Sequence, residues 1–181
     1  MSRIALQESI AVVIDIQERL FPHIYANQEL CANTIKLLKG LQALDVPMIV
    51  TEQYTKGLGG TIQEIRDHLG IFTPFEKISF SCCGSKEFME VLQTSGRKNV
   101  IISGIETHIC VQQSVLDLLK DGFTPIVVED CVSSRKPNDK EIAIRRMHRA
   151  GAIITTYESI LLELCEVAGT EVFKTISRII K

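Results

Sequence analysis

The sequence predicts an α/β fold, a three-layer α/β/α sandwich on a doubly wound, open parallel sheet of about six strands. Short apolar runs alternate with longer amphipathic stretches along the chain, the signature of repeated strand–helix units. The apolar runs are near-continuous in Val and Ile, which marks strands covered on both faces. The 181 residues are 45% hydrophobic and 23% charged. That suffices for one sizeable core, and no linker, repeat or low-complexity segment interrupts it, so 1–181 reads as a single domain.

The predicted strands are SIAVVIDI (9–16), VPMIVTEQ (46–53), a weaker FEKISF (75–80), KNVIISGI (98–105), TPIVVED (124–130) and GAIITTYE (151–158). Asn27 is placed as the cap of a helix that carries Leu30, Leu37, Leu38, Leu41 and Leu44 on one side. Thr61 with Glu64, and Asn138 with Glu141, have the spacing of capping boxes. Val111, Val115, Leu118 and Leu119 follow the helical rule, and Gly122 ends that helix. From Tyr157 the pattern reads as helical to the end, with Phe173, Ile176 and Ile180 on one face of the last run.

Charge and cysteine content narrow the function classes. Twenty Lys and Arg oppose 22 Asp and Glu, so nucleic acid is not expected as a partner, since phosphate binding needs a basic surplus. The RRMHR run (145–149) is accounted for by one solvated helix face. The apolar runs are too short to span a bilayer, and polar residues break any signal pattern at the N-terminus. The expectation is a cytoplasmic protein without membrane contact, whose cysteines 31, 82, 83, 110, 131 and 165 stay reduced. No CxxC or Cys/His spacing suggests a metal. GLGG (57–60) matches no nucleotide-binding pattern, so no cofactor is expected, and it reads as a flexible or tight loop beside the pocket.

In doubly wound sheets the working groups gather at the carboxyl ends of strands. Three costly residues fall there. Asp15 follows four apolar residues and serves either as a cap or ion-pair partner, or as an acid/base. Lys77 is either an edge residue facing water or a partner of Asp15. Cys110 follows Ser103–Ile109 and lies in the first turn of a helix that Thr107 can cap, where the helix dipole favours a thiolate. It is either a core thiol or a nucleophile. If the three strand ends are neighbours, Asp15 can take the thiol proton, Lys77 can hold Asp15, and N–H groups of the 106–110 turn can bind an oxyanion. Of the four histidines only His108 is near. Gln17, Phe21, Gln53, Tyr54, Phe80, Glu106 and His108 are the candidate pocket-lining residues. Phe21 and Phe80 read as core more readily than as substrate contacts.

VVIDIQERL, the lysine of FEKISFS and SGIETHICV together resemble the isochorismatase-like cysteine hydrolases over almost the whole chain. TEQYTKGLGGT, DCVSSR (130–135) and FKTISRIIK are similar to the branch of isochorismatase domain-containing proteins. The resemblance implies Asp15 as general base and later acid, Lys77 as electrostatic partner and Cys110 as nucleophile. It implies a non-proline cis peptide between Ile105 and Glu106 that aims the N–H groups of Glu106 and Cys110 at the oxyanion. It also implies a homo-oligomer, dimer or higher. Isochorismatase itself lacks the cysteine. Its retention here implies an acyl-enzyme on a small amide-like or carbamoyl substrate. The Asp/His/His metal site of nicotinamidases has no counterpart in TEQYTKGLGG, which implies no metal. Two other classes stand beside this one, a non-catalytic binding or scaffold protein and a thiol redox protein using Cys82 or Cys83.

Overall fold

The computed structural model describes residues 3–181. Its sheet contains β1 (Ser9–Ile14), β2 (Met48–Gln53), β3 (Phe75–Lys77), β4 (Asn99–Ile105), β5 (Thr124–Ser133) and β6 (Ile153–Thr155). All pairings are parallel, in the order β3-β2-β1-β4-β5-β6. Every residue of β1 and β4 is buried, as two-sided coverage requires.

The helices are α1 (Asn27–Ala43), the single turns α2 (Thr55–Leu58) and α3 (Gln63–Arg66), α4 (Lys86–Thr94), α5 (Gln112–Lys120), α6 (Pro137–Ala150), α7 (Tyr157–Cys165) and α8 (Glu171–Ile180). Phe88 and Leu92 of α4, Val115 and Leu118 of α5, and Ile144 and Met147 of α6 pack on Val12, Ile102 and Val127. Leu37 and Leu41 of α1, Ile160 and Leu161 of α7, and Ile176 of α8 pack with Ala11, Ile101 and Ile126. Adjacent strand residues thus serve opposite layers, because side chains alternate across a strand. The three-layer sandwich is the predicted one.

The chain runs outward from β1 to β3, then returns to pair β4 on the other side of β1. This reversal of winding falls at the carboxyl ends of β1 and β4, the usual ligand position in such sheets.

Several local expectations fail. Asn27 is inside α1, whose preceding residue is Ala26, and its amide donates to the Phe21 carbonyl instead. Neither capping box forms. Thr61 gives both its N–H and its hydroxyl to Glu52, and α6 begins at Pro137 with no side-chain cap. Proline pre-sets the first helical φ and needs no N–H partner there. β3 is shorter than predicted and ends at Lys77, which still pairs Gln53 and accepts from the Tyr54 N–H. β6 is only Ile153–Thr155, since Thr156 caps α7. The C-terminal helix is broken at 166–170, where Glu166 adopts a left-handed φ of 60°.

Candidate active site

Asp15 stands one residue beyond β1 with φ 53°. Aspartate is among the few residues that tolerate the left-handed region. Its Oδ2 accepts from Lys77 Nζ at 2.6 Å and its Oδ1 from Thr51 Oγ1 at 2.7 Å. Lys77 also donates to the carbonyls of Phe80 at 3.0 Å and Ser79 at 3.3 Å. The ion pair is dry, with the two side chains 1% and 0% exposed. Of the two sequence readings for Lys77, the one that pairs it with Asp15 is the one present. Burial lowers the Lys77 pKa, but the Asp15 charge and its hydrogen bond act against this, and the ammonium is held above its ordinary value.

Gly104 makes this geometry available. It pairs Ile14 across β1 and β4 at φ 135°, and a Cβ there would overlap the Ile14 carbonyl oxygen. Beyond it the Ile105–Glu106 peptide bond is cis. The chain then forms a π-helical turn, Thr107–Val111, before α5. Thr107 therefore does not cap a helix. Its hydroxyl is buried without a partner. The Glu106 carbonyl accepts from the N–H groups of Ile109 and Val111.

Cys110 is 3% exposed. Its Sγ lies 3.7 Å from Gln53 Oε1. Burial first, then the Asp15 charge, pushes its pKa up, and Lys77 only partly offsets this. The resting site therefore holds a thiol, not the thiolate expected from the helix dipole. The dipole argument fails because the π turn precedes α5, and because one carboxylate in a dry site outweighs partial charges.

The remaining predicted lining residues divide. Gln17 is fully buried and its amide is spent on backbone, donating to the carbonyls of Gln53 at 2.9 Å and Gly59 at 2.7 Å and accepting from Gln53 N–H at 2.8 Å. It is a strut, with no polar atom left to line the pocket. Phe21 belongs to the core beside Ile16 and Leu30. Tyr54 and Phe80 are 52% and 51% exposed, and the Tyr54 ring lies over Gly57. His108 Nδ1 is 2.9 Å from Ser134 Oγ. Glu106 is buried and paired with Arg135 Nε at 2.7 Å. The sequence reading passed over Thr51, Ser114 and Arg135. A threonine at the polar end of the apolar run VPMIV was the available signal for Thr51. The other two meet their partners only through the fold. Among the described residues no set of three or more metal-ligating side chains converges, and no helix is long and apolar enough to cross a membrane.

The isochorismatase domain model matches residues 9–159. The chain belongs to the isochorismatase family. Isochorismatase domain-containing protein 1 from Salmo salar is 42% identical over 92% of this chain, which spans 59% of that relative's length. Among solved structures, the MAR1 ribonuclease from Caenorhabditis elegans superposes with a TM-score of 0.92 at 38% identity, over 99% of this chain and 92% of that one. The YcaC gene product of Escherichia coli, described as an octameric hydrolase of unknown specificity, shares the fold with a TM-score of 0.92 at 20% identity, over 99% and 89% of the two chains. Within this isochorismatase fold, Asp15 follows β1, Lys77 ends β3 and Cys110 lies in the turn after β4.

Proposed function

We propose that this isochorismatase-family chain is a cofactor-free cysteine hydrolase that cleaves a small amide-like or carbamoyl C–N bond. The observation that carries the reading is the dry Asp15–Lys77 pair, whose field reaches a buried thiol on the adjacent strand end. Because the thiol is protonated at rest, attack needs a base in contact with it. Asp15 takes the proton as Cys110 sulfur bonds to the substrate carbonyl carbon. The oxyanion that forms is met by the N–H groups of Glu106 and Cys110. Collapse breaks the C–N bond, and Asp15 returns the proton to the leaving nitrogen. Water then attacks the acyl-Cys110 thioester with Asp15 again as base, releasing the acid and restoring the thiol. Lys77 stays charged throughout and keeps Asp15 oriented. Gln53, Tyr54, Phe80 and His108 form the rim that meets the substrate.

The reading is tested by labelling with iodoacetamide, a small amide electrophile, followed by peptide mapping. Cys110 is expected to react faster than the half-exposed Cys83 and Cys165. Asp15→Asn should slow it by about a hundredfold, the usual worth of a positioned base. Labelling of the other thiols with Cys110 spared would sink the proposal. A screen of primary amides and N-carbamoyl compounds then defines the substrate, with Cys110→Ala as the control that must be inactive.

A homo-oligomer and a reducing, cytoplasmic setting belong to the same reading. The octameric description of the Escherichia coli protein supports the first, and a reducing setting would keep the catalytic thiol and the other cysteines free. One observation favours a second activity. The Caenorhabditis elegans protein carries the name ribonuclease, and Arg145, Arg146 and Arg149 share an exposed stretch of α6. RNA cleavage that survives Cys110→Ala but not Arg145→Ala/Arg149→Ala would favour it.

A further inference from the structure

Cys82 and Thr51 take no part in the reaction above, yet both are buried against Asp15. Thr51 has one hydroxyl proton. A carboxylate can only accept, so that proton goes to Asp15 Oδ1 at 2.7 Å. The Thr51 oxygen is thereby left as an acceptor, and Cys82 Sγ lies 3.7 Å from it. Cys82 must then be the donor of that contact. The protonation state agrees, since burial and the nearby Asp15 charge push the Cys82 thiol up to about 11. Cys82 is also tied to the nucleophile's own turn. Its N–H donates to Ser114 Oγ at 2.9 Å, and Ser114 donates onward to the Cys110 carbonyl at 2.7 Å.

We infer that Cys82 and Thr51 form a positioning chain for the acid/base. Cys82 S–H orients the Thr51 hydroxyl, and Thr51 locks the plane of the Asp15 carboxylate, while Ser114 registers the same cysteine against Cys110. Lys77 holds Asp15 Oδ2 and Thr51 holds Oδ1, so the carboxylate cannot rotate about its own axis. Cys82 is thus a protonated donor, and neither a spare thiol nor a second nucleophile. This inference rests on the reading of Asp15 as the base for Cys110.

The test uses the rate of Cys110 labelling by iodoacetamide at neutral pH, which needs no known substrate. Thr51→Val should slow it by about tenfold through loss of orientation. Thr51→Ser, which keeps the hydroxyl, should restore most of the rate. Cys82→Ala should slow it less, by about threefold. The decisive readout is coupling. Thr51→Val/Cys82→Ala should be no slower than Thr51→Val alone, because links of one chain are not additive. Independent packing defects would multiply. If the valine variant does not fold, Thr51→Ala replaces it in the same cycle. Multiplicative effects, or failure of serine to rescue, would overturn the chain. Slowing in Asp15→Asn with normal labelling in Thr51→Val would overturn the chain alone and leave the base intact. Normal labelling in Asp15→Asn would overturn both.

Discussion

The Asp15 carboxylate survives in a dry interior because both oxygens have donors, Lys77 and Thr51. Removing one partner exposes the full desolvation cost of the other. Lys77→Met is therefore expected to destabilise the fold by about 3–5 kcal/mol, measured by urea unfolding. Asp15→Asn/Lys77→Met should recover much of that loss, since no lone charge remains buried. A double variant as unstable as Lys77→Met would mean that packing of the lysine stem, and not its charge, supports the site. At this scale the sequence was partly legible. Asp15, Lys77 and Cys110 stood out because each is expensive or unusual at a strand end. Gln17 was misread because polarity near a strand end does not reveal which way a side chain turns, whereas Phe21 took the core reading that had stood beside its pocket one. Gln17 turns inward to backbone carbonyls of the 53 and 59 segments.

At the scale of elements, β4 bears the closest tolerance. Gly104 faces the Ile14 carbonyl with no room for a methyl group, at a φ that L-residues avoid. Gly104→Ala must push β1 and β4 apart or twist the turn that carries Cys110. The expected cost exceeds about 3 kcal/mol, with loss of Cys110 labelling even in the molecules that remain folded. Circular dichroism with peptide mapping checks both, and an alanine variant of normal stability would refute the crowding. The strands were readable because their Val and Ile runs have little competing meaning. The caps were not. Asn27, Thr61, Thr107 and Asn138 are good caps by type, but other hydrogen-bond partners took Asn27 and Thr61, a preceding proline displaced Asn138, and the π turn left Thr107 unpartnered. The π turn at Thr107–Val111 was unreadable too, since one residue of slippage in helical pairing leaves no periodic trace in five residues.

For the whole molecule, the buried thiols set an alkaline limit. Burial and the Asp15 charge push the Cys82 thiol from its ordinary value of 9.0 in the unfolded chain up to about 11 in the fold. The folded state therefore holds more protons between these values. The resulting stability is complete below pH 9 and is lost as pH rises towards 11, by about 2–3 kcal/mol. Cys110 and Lys77, both raised, act in the same direction. Urea midpoints should stay flat from pH 7 to about pH 9 and then fall. Cys82→Ala should flatten part of the descent, and an unchanged slope would remove Cys82 as its cause. The layered architecture was legible from alternation alone, whereas strand order was not, because no local pattern says that β4 returns beside β1. The glycine-rich loop carries a last consequence. Glu18 N–H binds the Gly60 carbonyl, Arg19 binds those of Leu58 and Gly57, Gln17 binds that of Gly59, and Glu52 holds Thr61. Such a segment does not breathe. Amide protons of Glu18, Arg19 and Thr61 should exchange with deuterium as slowly as those of the central strands, and proteases should pass over 57–60. With that side closed, Tyr54, Ile78 and Phe80 keep more than half of their surface open to water beside it.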